Sequence, residues 1–126
     1  MKYYEIAAVW WADKLRLLNL PEYFNLNKEK ESNIIQNSQY LLTEKNIEDF
    51  EKKLAKLIYY YVEKDDHLTI GVSKSPDSLL TQVAKETNVF NCNFPQYSSM
   101  YISKYNVYVY DENNYLQPKT IFFNRK

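Results

Sequence analysis

The feature that most restricts this chain is its single glycine, Gly71, among 126 residues. Glycine usually makes up about 7% of a protein. Loops that cradle phosphate groups need several glycines, because their backbone amides must approach the ligand closely. The sequence therefore excludes nucleotide sites of the Walker and Rossmann types.

The chain also has one histidine, His67, and one cysteine, Cys92. A lone histidine excludes multi-histidine zinc sites and a histidine acid–base pair. Asp65 and Asp66 precede it, but neighbouring residues on a strand point to opposite faces, which argues against a metal site. A lone cysteine excludes an internal disulfide and fits a reducing compartment. We therefore predict a cytoplasmic protein without a metal or cofactor.

Length and charge restrict the class of protein. The length fits one domain covering residues 1–126. Sixteen basic residues balance sixteen acidic ones, which argues against a duplex DNA binder, since such proteins gain affinity by neutralising phosphates. The apolar run over residues 6–12 is too short for a membrane span, and no signal-peptide pattern precedes it. We expect no membrane association.

Apolar periodicity predicts a helix over residues 2–19, which ends at Leu20-Pro21 because the residue before a proline avoids the α region. Two apolar stripes run along it. Such a helix is either enclosed in the core or offers Trp10 to a partner, and a homodimer is compatible with it. The first stripe consists of Tyr4, Ala7, Ala8, Trp11, Leu15 and Leu18, and the second of Ile6, Trp10 and Leu17.

Three further helices are indicated. A short one is expected over residues 31–40, after a polar loop. Thr43 is a good N-cap for the next, with Leu42 and Ile47 placed as a hydrophobic staple, and that helix should run to about residue 62. A third begins with Ser75 as N-cap and Pro76 at the first helical position, and Asn88 ends it.

The last part of the chain reads as strands. Alternation predicts a strand over residues 67–72 and a hairpin of residues 99–102 and 107–110, with Tyr101 opposite Tyr108. A final strand over residues 120–123 should place Ile121 and Phe123 on one face and Phe122 on the other. The predicted fold class is α+β, with N-terminal helices packed on a small, mostly antiparallel C-terminal sheet.

The hairpin supplies the main candidate binding residues, Tyr101, Tyr108 and Tyr110, with Trp10 as a further contact. Tyrosine is enriched at binding hot spots because it offers a large area at low entropic cost. Alternatively, the cross-strand aromatic pairs only stabilise the sheet, or helices cover this face. Aromatics on a sheet also occur in RNA-binding platforms. After residue 88, however, four basic residues exceed the two acidic ones by only two, and this surplus attracts a nucleic acid weakly. We therefore do not expect nucleic-acid binding.

A catalytic alternative rests on residue types alone. Cys92 and His67 are a thiol and a base of the kind that nucleophilic catalysis uses. The sequence Asn91-Cys92-Asn93 has no local nucleophile signature. We therefore predict a protein that is not an enzyme, with no catalytic residues, and keep the Cys92–His67 enzyme as an alternative.

Three segments carry a resemblance to a known family. They are residues 7–15 (AAVWWADKL), residues 76–80 (PDSLL) with 84–86 (AKE), and residues 94–102 (FPQYSSMYI). The pattern resembles a family of small, uncharacterised proteins of bacteria and their prophages, with a WWADxL box near the start and a later FPxxxxM segment. The resemblance implies no catalytic residues. It implies a mobile-element context, in which many small proteins block a host protein, as anti-CRISPR and other anti-defence inhibitors do.

These observations together predict a small cytoplasmic interaction protein of a phage or mobile element. Its expected partner is a host protein, such as a CRISPR or other defence effector or a nucleic-acid enzyme, which it binds and inhibits. An immunity protein that neutralises a cognate toxin is the alternative among binding proteins.

Overall fold

The computed structural model of the chain describes residues 1–18, 42–89, 94–95, 97–111 and 117–124. The helix expected over residues 31–40, the Leu20-Pro21 stop and Cys92 lie outside these residues. The described strands form one antiparallel sheet of order β1-β2-β3-β4. The α+β class is therefore confirmed. The elements are α1 (Tyr3–Leu18), α2 (Glu44–Asp65), β1 (His67–Val72), α3 (Ser78–Thr87), β2 (Ser98–Ser103), β3 (Asn106–Tyr110) and β4 (Lys119–Phe123).

The described helices and strands share one hydrophobic core. Its centre includes Trp11, Phe50 and Met100, which are fully buried. Each large apolar side chain buried in this way stabilises the fold by about 1.5–3 kcal/mol. Trp11 is the tryptophan of the adjacent pair that enters the core. At the start of α1, Tyr3 is buried instead of Tyr4, which only packs against the core from outside.

Arg16 joins α1 to α2. Its guanidinium bonds to Glu44 at 2.9 Å and to Glu51 at 3.5 Å, and also to Asp13 on its own helix at 2.9 Å. Glu44 and Glu51 lie two turns apart on one side of α2, so their bonds to Arg16 restrict how α1 lies against α2. Because the group is partly exposed, it adds only about 1 kcal/mol.

Helix α2 begins as predicted and ends later. The Thr43 hydroxyl accepts the Asn46 amide at 3.1 Å, and the Asn46 side chain accepts the Thr43 amide at 3.2 Å. The two form a capping box. The helix continues to Asp65 instead of ending near residue 62, because Asp66 adopts the left-handed conformation with φ 70° that closes the last turn.

The N-cap of α3 is Asp77, so the prediction of Ser75 was wrong. The Asp77 Oδ1 accepts the Leu80 amide at 2.9 Å, while Oδ2 accepts the Gly71 amide of β1 at 2.8 Å. Pro76 forms a bridge to Val72 instead of the first helical turn. Asn88 ends the helix in the left-handed conformation, as predicted.

The hairpin has the predicted pairs: Met100 lies opposite Val109, Tyr101 opposite Tyr108, and Ile102 opposite Val107. The last strand is present as predicted, but the prediction that Ile121 shares a face with Phe123 was wrong. The register between β3 and β4 shifts at residues 107–108, and Ile121 and Phe122 both pack against the core. Two consecutive side chains on one side are typical of a β-bulge. The side chain of Phe123 is 63% exposed.

None of the helices in the described part of the chain combines the length and apolar character needed to span a bilayer.

A candidate binding face on the sheet

The sheet has one face toward the helices and one face away from them. Met100, Ile102, Val107 and Val109 are buried in the shared core. The side chains that alternate with them form the other face, on which none of the described helices packs. We call this second face the tyrosine face. Its described residues are His67, Thr69, Gly71, Ser99, Tyr101, Ser103, Asn106, Tyr108, Tyr110, Thr120 and Phe123.

Three rings on this face form an aromatic ladder across β1, β2 and β3. The Tyr101 and Tyr108 rings are stacked, with centroids 6.2 Å apart and planes 27° apart. On the other side of Tyr101, the His67 ring is stacked at 5.8 Å and 21°. Such pairs add about 0.5–1.5 kcal/mol beyond their burial, so the ladder also stabilises the sheet.

At one end of the tyrosine face lies a shallow depression of about 360 Å³. It is lined by Val72, Ser73, Tyr97, Ser98, Ser99, Tyr110 and Asp111. Its small side chains leave room for a group from a partner. The Tyr97 side chain is 51% exposed and that of Tyr110 is 36% exposed, so both rings are accessible.

Sequence reasoning did not identify Tyr97. Its backbone is left-handed, with φ 56°, and its amide donates to the Ser73 carbonyl at 3.3 Å. Left-handed backbone is uncommon for a tyrosine and has no local sequence signal here. The contact with the loop after β1 places the ring beside the sheet.

Among the described residues, the tyrosine face carries no lysine or arginine that could neutralise a phosphate. Its described side chains are aromatic or hydroxyl-bearing, apart from His67, Gly71 and the amide of Asn106. The carboxylate of Asp111 lies at its edge, beside Tyr110. Both sides of the Tyr101 ring are already occupied by neighbouring rings, so a nucleic-acid base could stack on it only by breaking the ladder.

Trp10 does not join this face. It lies on α1, within the helical layer, and packs partly against the core. Its ring lies against that of Trp11 at 4.8 Å, and the Lys14 Nζ lies 4.8 Å from its centroid. Trp10 therefore lies on a different element from the predicted tyrosine contacts, and its role in binding stays a prediction.

His67 belongs to the ladder and is exposed. The described residues do not test a pairing of His67 with Cys92, so the enzyme alternative stays a prediction. Within the described ranges, no group of three or more histidine, cysteine or acidic residues is arranged to hold a metal ion.

Comparison with protein-family models gives no match for the chain, and comparison with curated proteins gives no match either. The resemblance to the prophage family therefore stays a prediction.

Proposed function

We propose that this protein acts by binding another protein through the tyrosine face, and that it thereby inhibits a host defence or nucleic-acid enzyme. The observation that carries the proposal is the ladder of His67, Tyr101 and Tyr108 on the sheet face opposite the helices. Aligned aromatic rings held by a rigid sheet lose little entropy when they bind, and their polar edges tolerate water.

The chemistry of the face favours a protein partner over a nucleic acid. Interface centres are depleted in charged residues and enriched in tyrosine. The described part of this face fits that pattern, because it carries aromatic rings and hydroxyl groups without lysine or arginine. Single-stranded nucleic acid instead requires a cationic groove and free ring faces.

The narrower part of the proposal, inhibition of a host enzyme, has a different source. It is supported by the resemblance of residues 7–15 and 94–102 to small prophage proteins. That context is one in which small proteins act by occluding the surface of a host protein.

The first test is affinity capture from host lysate with a ladder variant and a control variant. Tyr101→Thr with Tyr108→Thr removes the ladder while keeping residues that favour strands. The control, Tyr105→Ala, removes a tyrosine that is 43% exposed and lies in the turn between β2 and β3, away from the ladder and from α2. Circular dichroism and thermal unfolding must first show that both variants fold.

We expect the wild type and the Tyr105→Ala control to retain the same host protein. The ladder variant should bind that protein at least about 30-fold more weakly, since hot-spot residues contribute 2 kcal/mol or more. A folded ladder variant with wild-type affinity would overturn the proposal.

The inhibitory step is tested separately in cells that carry a defence system. Expression of the wild type should raise the plating efficiency of a sensitive phage at least tenfold, and the ladder variant should not. If the captured partner keeps full activity when saturated with the protein, the protein is a binder but not an inhibitor.

A further inference from the structure

A second surface lies on the solvent side of α2. Lys52, Lys56, Tyr60 and Lys64 follow one another at intervals of four residues, and all four side chains are exposed. Residues at this spacing lie along the same side of a helix. We call these residues the lysine row. It spans about 18 Å along the helix at 1.5 Å per residue.

The lysines of this row differ from their neighbours in pairing. Lys45 pairs with Asp49 at 3.6 Å, and Lys53 pairs with Glu86 at 3.0 Å. Among the described residues, the row's three lysines contact no carboxylate. Only Lys64 has a ring contact, with its Nζ 5.9 Å from the centroid of Tyr60.

Repulsion between the lysines of the row slightly destabilises α2 when no partner is bound. Like charges four residues apart, such as Lys52 and Lys56, destabilise a helix by a few tenths of a kcal/mol. An anionic group placed between them would relieve that repulsion. Tyr59 and Tyr60 add accessible aromatic area beside the charges, with side chains 49% and 56% exposed.

We infer that the lysine row binds an acidic segment of a partner protein. Successive positions of the row are about 6 Å apart. Alternate residues of an extended chain are about 6.6–6.8 Å apart. An extended segment whose alternate residues follow the row therefore places acidic residues opposite Lys52, Lys56 and Lys64. Its remaining position lies opposite Tyr60, and Tyr59 packs beside it.

The charges around the row distinguish this partner from a nucleic acid. Glu48 lies one turn before the row, and Asp65 and Asp66 follow it directly; all three are exposed. A phosphodiester chain that continues past the row would meet these carboxylates at both ends. A short acidic segment of a protein can end within the row.

The inference is tested with purified protein and labelled probes, without the partner of the tyrosine face. The probes are fluorescein-labelled dodecapeptides that alternate glutamate with serine or lysine with serine, and a labelled twelve-nucleotide oligothymidylate. Anisotropy titrations compare the wild type with two triple variants. The row variant carries Lys52→Gln, Lys56→Gln and Lys64→Gln. The control carries Lys74→Gln, Lys85→Gln and Lys119→Gln, which change the net charge equally at exposed positions elsewhere.

We expect the glutamate peptide alone to bind the wild type at 50 mM salt, and to bind more weakly at 300 mM. The row variant should lose at least tenfold in affinity and the control less than twofold. Equal losses in both variants would show a net-charge effect and overturn the inference. Tighter binding of the oligonucleotide, lost in the row variant, would identify a polyanion site instead. Failure of the glutamate peptide to bind the wild type would also overturn the inference. None of these results bears on the tyrosine face.

Discussion

At the scale of the residue, the chain's single glycine, Gly71, lies where the neighbouring strand β2 approaches closely. The residue lies in β1 opposite Ser99. A Cβ at this position would lie 3.0 Å from both the Ser98 carbonyl oxygen and the Ser99 Cβ. Close approach of the neighbouring strand therefore leaves little room for a side chain here, and a Cβ would fit only if β2 shifted by a few tenths of an ångström. The left-handed backbone positions among the described residues fall instead on Asp66, Asn88 and Tyr97, and aspartate and asparagine tolerate that conformation best after glycine.

Gly71→Ala should lower the free energy of unfolding by about 1–3 kcal/mol, because the new methyl group must displace β2. Urea unfolding measures this cost. In a Ser99→Gly background the alanine should cost less, since one of the two close contacts is gone. An equal cost in both backgrounds would show that the contact with Ser99 does not matter.

At the scale of the element, Asp77 joins β1 to α3. One carboxylate oxygen caps the helix at Leu80, and the other accepts the Gly71 amide. The Asp77 amide in turn donates to the Gly71 carbonyl at 2.9 Å. Asp77 thus caps the helix and also provides hydrogen-bond partners for the amide and the carbonyl of Gly71, on the edge strand β1.

Asp77→Ala should lower the free energy of unfolding by about 2 kcal/mol, since it removes an N-cap and a second hydrogen bond. Asp77→Asn should cost about half as much, because asparagine still caps helices well but has one acceptor oxygen. Ser75→Ala is the matched control and should change stability by less than about 0.5 kcal/mol. A larger effect at Ser75 than at Asp77 would restore Ser75 as the cap.

At the scale of the whole molecule, Glu63 connects three parts of the fold. Its carboxylate accepts the Tyr3 hydroxyl of α1 at 3.4 Å and pairs with Lys104 of the β2–β3 turn at 3.5 Å. Burial, with the nearby negative charge of Glu63 added to it, raises the pKa of Tyr3 from 10.0 to about 12. The folded state therefore holds this proton more tightly than the unfolded chain does.

The pKa of Tyr3 predicts a loss of stability at high pH. Below pH 10 the phenol is neutral in both states and its contribution is complete. As the pH rises from 10 to 12, the unfolded chain loses the proton first, so the folded state loses about 1–2 kcal/mol. The loss is smaller than the full shift implies, because water screens the exposed Glu63 carboxylate beside the hydroxyl. Urea unfolding at pH 9.5 and 11.5 should show a smaller loss in Tyr3→Phe than in the wild type. The other tyrosines contribute equally to both proteins, so equal losses would contradict the assignment.

Much of the fold follows from sequence-local interactions. Thr43 caps α2 and Asn88 ends α3, and both choices depend on bonds within a few residues. The pairing of Tyr101 with Tyr108 also follows locally, because the period of two and the short turn together leave one register. The sequence therefore determined the fold class, the starts of α1 and α2, the end of α3 and the residues that form the centre of the tyrosine face.

The tertiary structure decided whatever depends on contacts between distant segments. Asp77 and not Ser75 is the N-cap of α3, because the carboxylate of Asp77 accepts the Gly71 amide as well as the Leu80 amide. Ile121 and Phe122 both pack against the core, because the register between β3 and β4 shifts at residues 107–108. The residue pattern of β4 alone does not indicate this shift. Tyr97 lies beside the face because its amide donates to the Ser73 carbonyl. The lysine row is distinguished from Lys45 and Lys53 only by the structure, in which Asp49 and Glu86 pair with those two lysines. Contacts between segments that are distant in sequence stabilise these features, so a local residue pattern does not predict them.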